Sequence, residues 1–66
     1  MWTNRDQISR YEIQKDETVG YYIYKYDLKG KCMHDYLQDT LDAAMDFTNR
    51  EFGLDRNGWK EMPSRE

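Results

Sequence analysis

This sequence has little of what usually announces a function. It holds one cysteine, one histidine and one proline. A single cysteine, Cys32, leaves no partner for an intramolecular disulfide, and no stretch approaches the ~20 apolar residues of a transmembrane helix. Residues 1 to 20 carry no apolar run resembling a secretory signal. These absences predict a soluble chain in a reducing compartment, the cytoplasm. Glycine-rich phosphate loops, GxSxG elbows and zinc-protease motifs are missing as well. The net charge is −3, with acidic residues throughout, which disfavours nucleic acid and membranes as partners and favours a basic protein surface.

What is present is a small domain with a thin core. Sixty-six residues lie near the lower end of what folds without disulfides or metal. Hydrophobic residues make up 38% of the chain, and six of them are tyrosines whose hydroxyls need water or a partner, so a homodimer that covers leftover apolar surface is the natural supplement. One domain is expected over 1–66, with 1–8 and 63–66 frayed.

Periodicity divides the chain into strands followed by one helix. SRYEIQK alternates, with Tyr11 and Ile13 on one face and Arg10, Glu12 and Gln14 on the other. After the polar break Asp16-Glu17-Thr18 comes VGYYIYKYD, where Val19, Tyr21 and Ile23 share one face and Tyr22, Tyr24 and Tyr26 the other. So short a link implies an antiparallel hairpin. DLKG, residues 27 to 30, suits a type I turn with glycine in the left-handed position, and a third strand follows over about Lys31 to Leu37. Regular alternation there puts Met33, Asp35 and Leu37 on the core side and Cys32, His34 and Tyr36 outside, an assignment that a bulge would invert.

The helix has clear limits. Asp39 or Thr40 is suited to the N-cap, Asp42 sits in the first turn, and Gly53 followed by Leu54 predicts a Schellman ending. At 100° per residue, Leu41, Ala44, Met45, Thr48 and Phe52 form one stripe for packing on a sheet. Phe47 falls outside that stripe and is a candidate for a second interface; Asp42, Asp46 and Asn49 make the solvated side. The turn DRNG then lets Trp59 and Met62 fold back on the core before Pro63 ends regular structure. The expected architecture is α+β: an antiparallel sheet of about three strands in the order β-β-β-α, with one amphipathic helix on one face and a short capping segment.

The residue types that could do chemistry have plainer uses. His34 and Asp35 are neighbours on a strand and point to opposite faces, so the carboxylate does not orient the imidazole. Cys32 and His34 would share a face, but zinc needs four ligands and the chain has no second Cys or His. Asp35, Asp39, Asp42 and Asp46 lack the spacing and glycine turn of a calcium loop. The tyrosine row could stack nucleic-acid bases, yet the chain has neither the length nor the charge of an RNA-recognition fold. We therefore expect no catalytic residue, no metal and no cofactor, and place a possible protein interface at Tyr22, Tyr24, Tyr26, His34 and Phe47.

Two resemblances accompany this reading. The segment KGKCMHDYLQDTLDAAMDFTNREFGLDRNGWKEMP resembles small uncharacterised bacterial proteins that join an aromatic strand and turn to a T-L-x-x-A helix ending in E-F-G, with a tryptophan soon after. Here those landmarks are Asp39, Thr40, Leu41, Ala44, Glu51, Phe52, Gly53 and Trp59; the likeness implies a fold and no activity. Gly20-Tyr21-Tyr22, Asp27-Leu28-Lys29-Gly30 and Asp39 to Ala44 are also similar to HicB-type antitoxin domains, without that family's prolines at 26 and 29 and without a DNA-binding domain. The thin core, the tyrosine row and Phe47 outside the helix stripe lead us to expect a non-enzymatic bacterial protein-interaction module, homodimeric or bound to another protein. The second resemblance implies an acidic antitoxin or immunity-like inhibitor of a basic partner.

Overall fold

The computed structural model describes residues 1–63. It is an α+β fold with a single antiparallel sheet of five strands, two more than the sequence suggested. The strands are β1 (Trp2–Arg5), β2 (Arg10–Asp16), β3 (Gly20–Tyr26), β4 (Cys32–Gln38) and β5 (Lys60–Glu61), in spatial order β4-β3-β2-β1-β5. Helix α1 (Leu41–Phe52) crosses one face, and a 3₁₀ turn at Arg56–Gly58 leads into β5.

The extra strands lie at the two ends of the described chain. Residues 2 to 5, expected to fray, pair instead with β2 and β5. Trp2 lies in register with Ile13 and packs on the core, its ring 6.0 Å from that of Tyr21. Polar Asn4 also belongs to this strand because its amide donates to the Asp55 carbonyl at 3.0 Å. Of the expected fraying at 63–66, residues 64–66 lie outside the described residues.

The core is built on a cross-strand pair. Ile13 and Ile23 face each other from β2 and β3, and both are fully buried beneath Ala44 of the helix. Trp2, Tyr21, Tyr36, Leu41, Met45 and Trp59 close around them. Thr48, at the helix centre, is tolerated in this apolar setting because its hydroxyl donates to the Met45 carbonyl at 2.9 Å. Val19, expected on this face, is instead exposed in the β2–β3 turn.

Local chemistry fixes the element ends. Thr40, not Asp39, is the N-cap: its Oγ1 accepts from the Ala43 amide at 3.0 Å. Gly53 is left-handed at φ 71°; its N–H donates to the Asn49 carbonyl and the Leu54 N–H to the Thr48 carbonyl, a nested pair in which each bond spans one residue more than in the expected Schellman motif. In DLKG, Gly30 takes φ 85° while Asp27 Oδ1 accepts from the amides of Lys29 and Lys31. At Gly20 the constraint is different, since φ is 127° and a Cβ would lie 2.5 Å from the Gln38 carbonyl oxygen.

The face assignment of β4 is inverted relative to the sequence reading. Tyr26 pairs with Cys32 but Lys25 pairs with His34, so Met33 is a bulge that advances the register by one residue. Every side chain from His34 onward is therefore turned over. Tyr36 packs on the core beside Ile23, and Leu37, expected inside, lies across from Tyr22 and is about half exposed.

Two predictions follow from these packing details. Gly20→Ala should cost about 3 kcal/mol, combining backbone strain with a clash against backbone, whereas Gly53→Ala, with open space at its Cβ, should cost about 1 kcal/mol. Urea denaturation of the two variants measures the difference. The second concerns Tyr11 and Asp6, whose side chains share a 3.1 Å hydrogen bond. Burial and the Asp6 charge push the Tyr11 phenol up to about 12; burial also raises Asp6, but its bonds from the Ile8 and Ser9 amides and the Tyr11 hydroxyl outweigh this and leave it lowered. Tyr11 thus contributes stability that is complete below pH ~10 and lost as pH rises towards 12. Asp6 contributes stability present above its ordinary value and lost as pH falls through the lowered one. Melting temperature against pH should decline at both extremes, and Tyr11→Phe should remove the Tyr11 part of the alkaline decline.

Candidate interaction face

The helix covers one side of the sheet and leaves the other open. Strand alternation places three rungs of side chains on that open side. The first runs Arg5, Arg10, Tyr26, Cys32; the second Thr3, Glu12, Tyr24, Asp35; the third Gln14, Tyr22, Leu37. Tyr22, Tyr24 and Tyr26 stand in a row down β3, with ring centroids 5.9 Å apart for the first pair and 6.5 Å for the second. Their partial burial comes from one another and from their β2 and β4 neighbours.

Glu12 lies at the centre of this face and is only 3% exposed. A carboxylate so placed requires partners, and it has them: Arg10 forms an ion pair with one oxygen, and the Gln14 amide donates to the other at 3.3 Å. The Arg10 guanidinium also lies 4.4 Å from the centre of the Tyr26 ring. The tyrosines feel this environment. Burial raises the Tyr24 phenol above its ordinary range, helped by Tyr22 and Asp35; burial also raises Tyr26, helped by Glu12 and opposed by Arg10. Both hydroxyls therefore remain protonated donors at neutral pH.

The other sequence candidates lie elsewhere. His34 is on the helix side of β4, exposed, with its ring 6.2 Å from Tyr36. Cys32 is on the open side, so the bulge separates the two residues that regular alternation would have placed together. Phe47, which the helical wheel sets outside the packing stripe, is half-buried: its ring packs 5.0 Å from Tyr36 and 6.1 Å from Phe52, joining the core through a residue that the bulge turned inward. Asp42 and Asp46, read as a solvated side, are held by Arg56 at 2.6 and 3.3 Å, and Asp46 also by Arg50 at 3.0 Å. Among the described residues, no group of three or more His, Cys, Asp or Glu side chains is placed to hold a metal ion, and no helix is long and apolar enough to cross a membrane. Sequence reasoning missed Glu12 and Arg10 as parts of the tyrosine face; the signal was their place in the alternating strand SRYEIQK.

No protein-family model matches the chain, and searches of curated proteins and of solved structures return no match.

Glu12→Ala should destabilise the chain by about 2 kcal/mol, because it strips Arg10 and Gln14 of their acceptor and opens a gap beneath Tyr24. Tyr22→Ala, at a less buried site, should cost about 1 kcal/mol or less. Chemical denaturation of the two variants gives the order.

Proposed function

We propose that this chain is a non-enzymatic protein-interaction module that forms a homodimer through the open face of its sheet. The observation that carries the reading is the tyrosine row, standing on a face that neither the helix nor any other described element covers. Tyrosine supplies large contact area at small entropic cost, and its hydroxyl can serve an interface that is partly wet. The face also offers arginine, the other residue type that interfaces favour. Its one deeply placed charge, Glu12, already has its partners within the chain, so covering it exposes no unpaired carboxylate. The exposed and unpaired Cys32 on the same face suits the reducing cytoplasm.

Sedimentation equilibrium of the wild-type chain should show a monomer–dimer equilibrium at micromolar concentrations. Tyr24→Arg, which places a charge at the centre of the face, should weaken the dimer at least tenfold while leaving the circular dichroism spectrum and the melting transition in place. A wild-type chain that stays monomeric at all accessible concentrations would sink the homodimer and leave the acidic inhibitor of a basic partner as the alternative.

A further inference from the structure

Building on the reading of the open face as a self-association surface, we infer how two copies fit. They pack sheet against sheet about a two-fold axis that runs across the strands, level with the Ile13–Ile23 pair. The inference comes from the way charge is distributed along β2. Arg10 stands at one end of this strand with Arg5 beside it, Glu12 lies within, and Asp16 stands at the other end. Asp16 uses Oδ1 to accept the amides of Thr18 and Val19, and its charge remains at the rim.

Like charges and strand overlap exclude the competing arrangements: an axis across the strands level with Tyr11 would set Arg10 over Glu12 of the second copy, but it overlays only residues 10–12 of β2 on their counterparts. An axis along the strands would keep each rung level with its counterpart and gather the arginines of both copies at one end. An axis across the strands turns one copy end for end, which is the only way to bring Arg10 towards Asp16. If that axis lay on the second rung, Glu12 would face Glu12 of the second copy and Asp35 would face Asp35, in an interface that excludes water and strengthens repulsion. Half a rung further along, level with Ile13 and Ile23, the conflict disappears. Arg10 then lies over Asp16 of the second copy, Glu12 over Gln14 and Tyr24 over Tyr22, and each of these contacts occurs twice. The result is a closed, isologous pair with no strand left to recruit a third copy through this face.

The size of the face sets the strength of the contact. The three seven-residue strands β2, β3 and β4 are about 23 Å long, and with the four-residue β1 beside them, at ~4.8 Å spacing, they cover roughly 400 Å² in projection. Standard interfaces bury about 800 Å² of accessible surface per partner, so this one lies at the modest end. A micromolar dimer of aligned sheets, crossed at about 30° by their twist, is the expected outcome.

Isotope-filtered NOE spectra of an equal mixture of ¹³C-labelled and unlabelled wild-type chains test this without any substitution. Intermolecular contacts between Tyr22 and Tyr24 are expected, together with contacts from Arg10 to the Asp16–Val19 turn. A complementary experiment uses charge reversal. Arg10→Asp and Asp16→Arg should each weaken self-association at least tenfold, while an equimolar mixture of the two should associate within a few fold of wild type. Melting curves show whether each variant folds, since Arg10 holds Glu12 and Asp16 shapes a turn. Contacts joining Tyr24 to Tyr24, or folded variants that do not complement each other, would overturn the axis and leave the open-face dimer standing. A monomer, or a dimer indifferent to Tyr24→Arg, would overturn both.

Discussion

One helix of twelve residues is about 18 Å long and can lie over only one side of a five-stranded sheet. That inequality governs the molecule. On the covered side, Ile13, Ile23 and Ala44 form a dry centre, and large aromatic rings extend it outward to Trp2, Trp59, Phe47 and Phe52. On the other side no described element forms a second layer, and the strands must be presentable to water while still contributing stability. Tyrosine meets that demand because the ring packs on its neighbours and the hydroxyl remains hydrated. The buried Glu12 belongs to the same solution: held by Arg10 and Gln14, it fills the space between tyrosines without adding apolar surface.

The residues on the open face have a dual character for this reason. A tyrosine row stabilises its own sheet through cross-strand contacts, and the same rings form a binding surface once another face approaches. The burial that raises the phenols of Tyr24 and Tyr26 is partial, so closing the face would continue a desolvation that the folded chain has already begun. The ion pairs of Arg50 and Arg56 with Asp42 and Asp46, by contrast, lie on the outer side of the helix and are exposed, and contribute little beyond tying the 3₁₀ turn to α1.

Much of this was legible from residues whose effects are local. Thr40 and Gly53 bound the helix because a cap hydroxyl and a left-handed glycine act within one turn of chain. Asp27 and Gly30 make their turn for similar reasons, and alternation in VGYYIYKYD separates Ile23 from Tyr22, Tyr24 and Tyr26. The first strand was not legible, since WTNR is mostly polar and its inward Asn4 is satisfied only by Asp55, fifty-one residues away. Phe47 was misplaced by helical-wheel arithmetic, which treats the sheet as a flat wall; Tyr36 reaches out to meet it. Of the candidate face, the tyrosines could be read directly. The environment of Glu12 could not, because its burial depends on which strands stand beside β2.

Met33 makes few demands as a side chain, being about half exposed. Its importance is arithmetic. As the unpaired residue of the bulge, it sets the parity of everything between itself and the helix, deciding that beyond it the odd-numbered residues of β4 look away from the core and the even-numbered ones look into it. Side-chain replacement at Met33 leaves that count intact, but loss or gain of a single residue there reverses it, turning Tyr36 out and Leu37 in without altering any other letter of the sequence. In this short segment, length therefore carries information that composition does not, and chains that share this strand can diverge freely in residue type at Met33 while remaining strict in spacing.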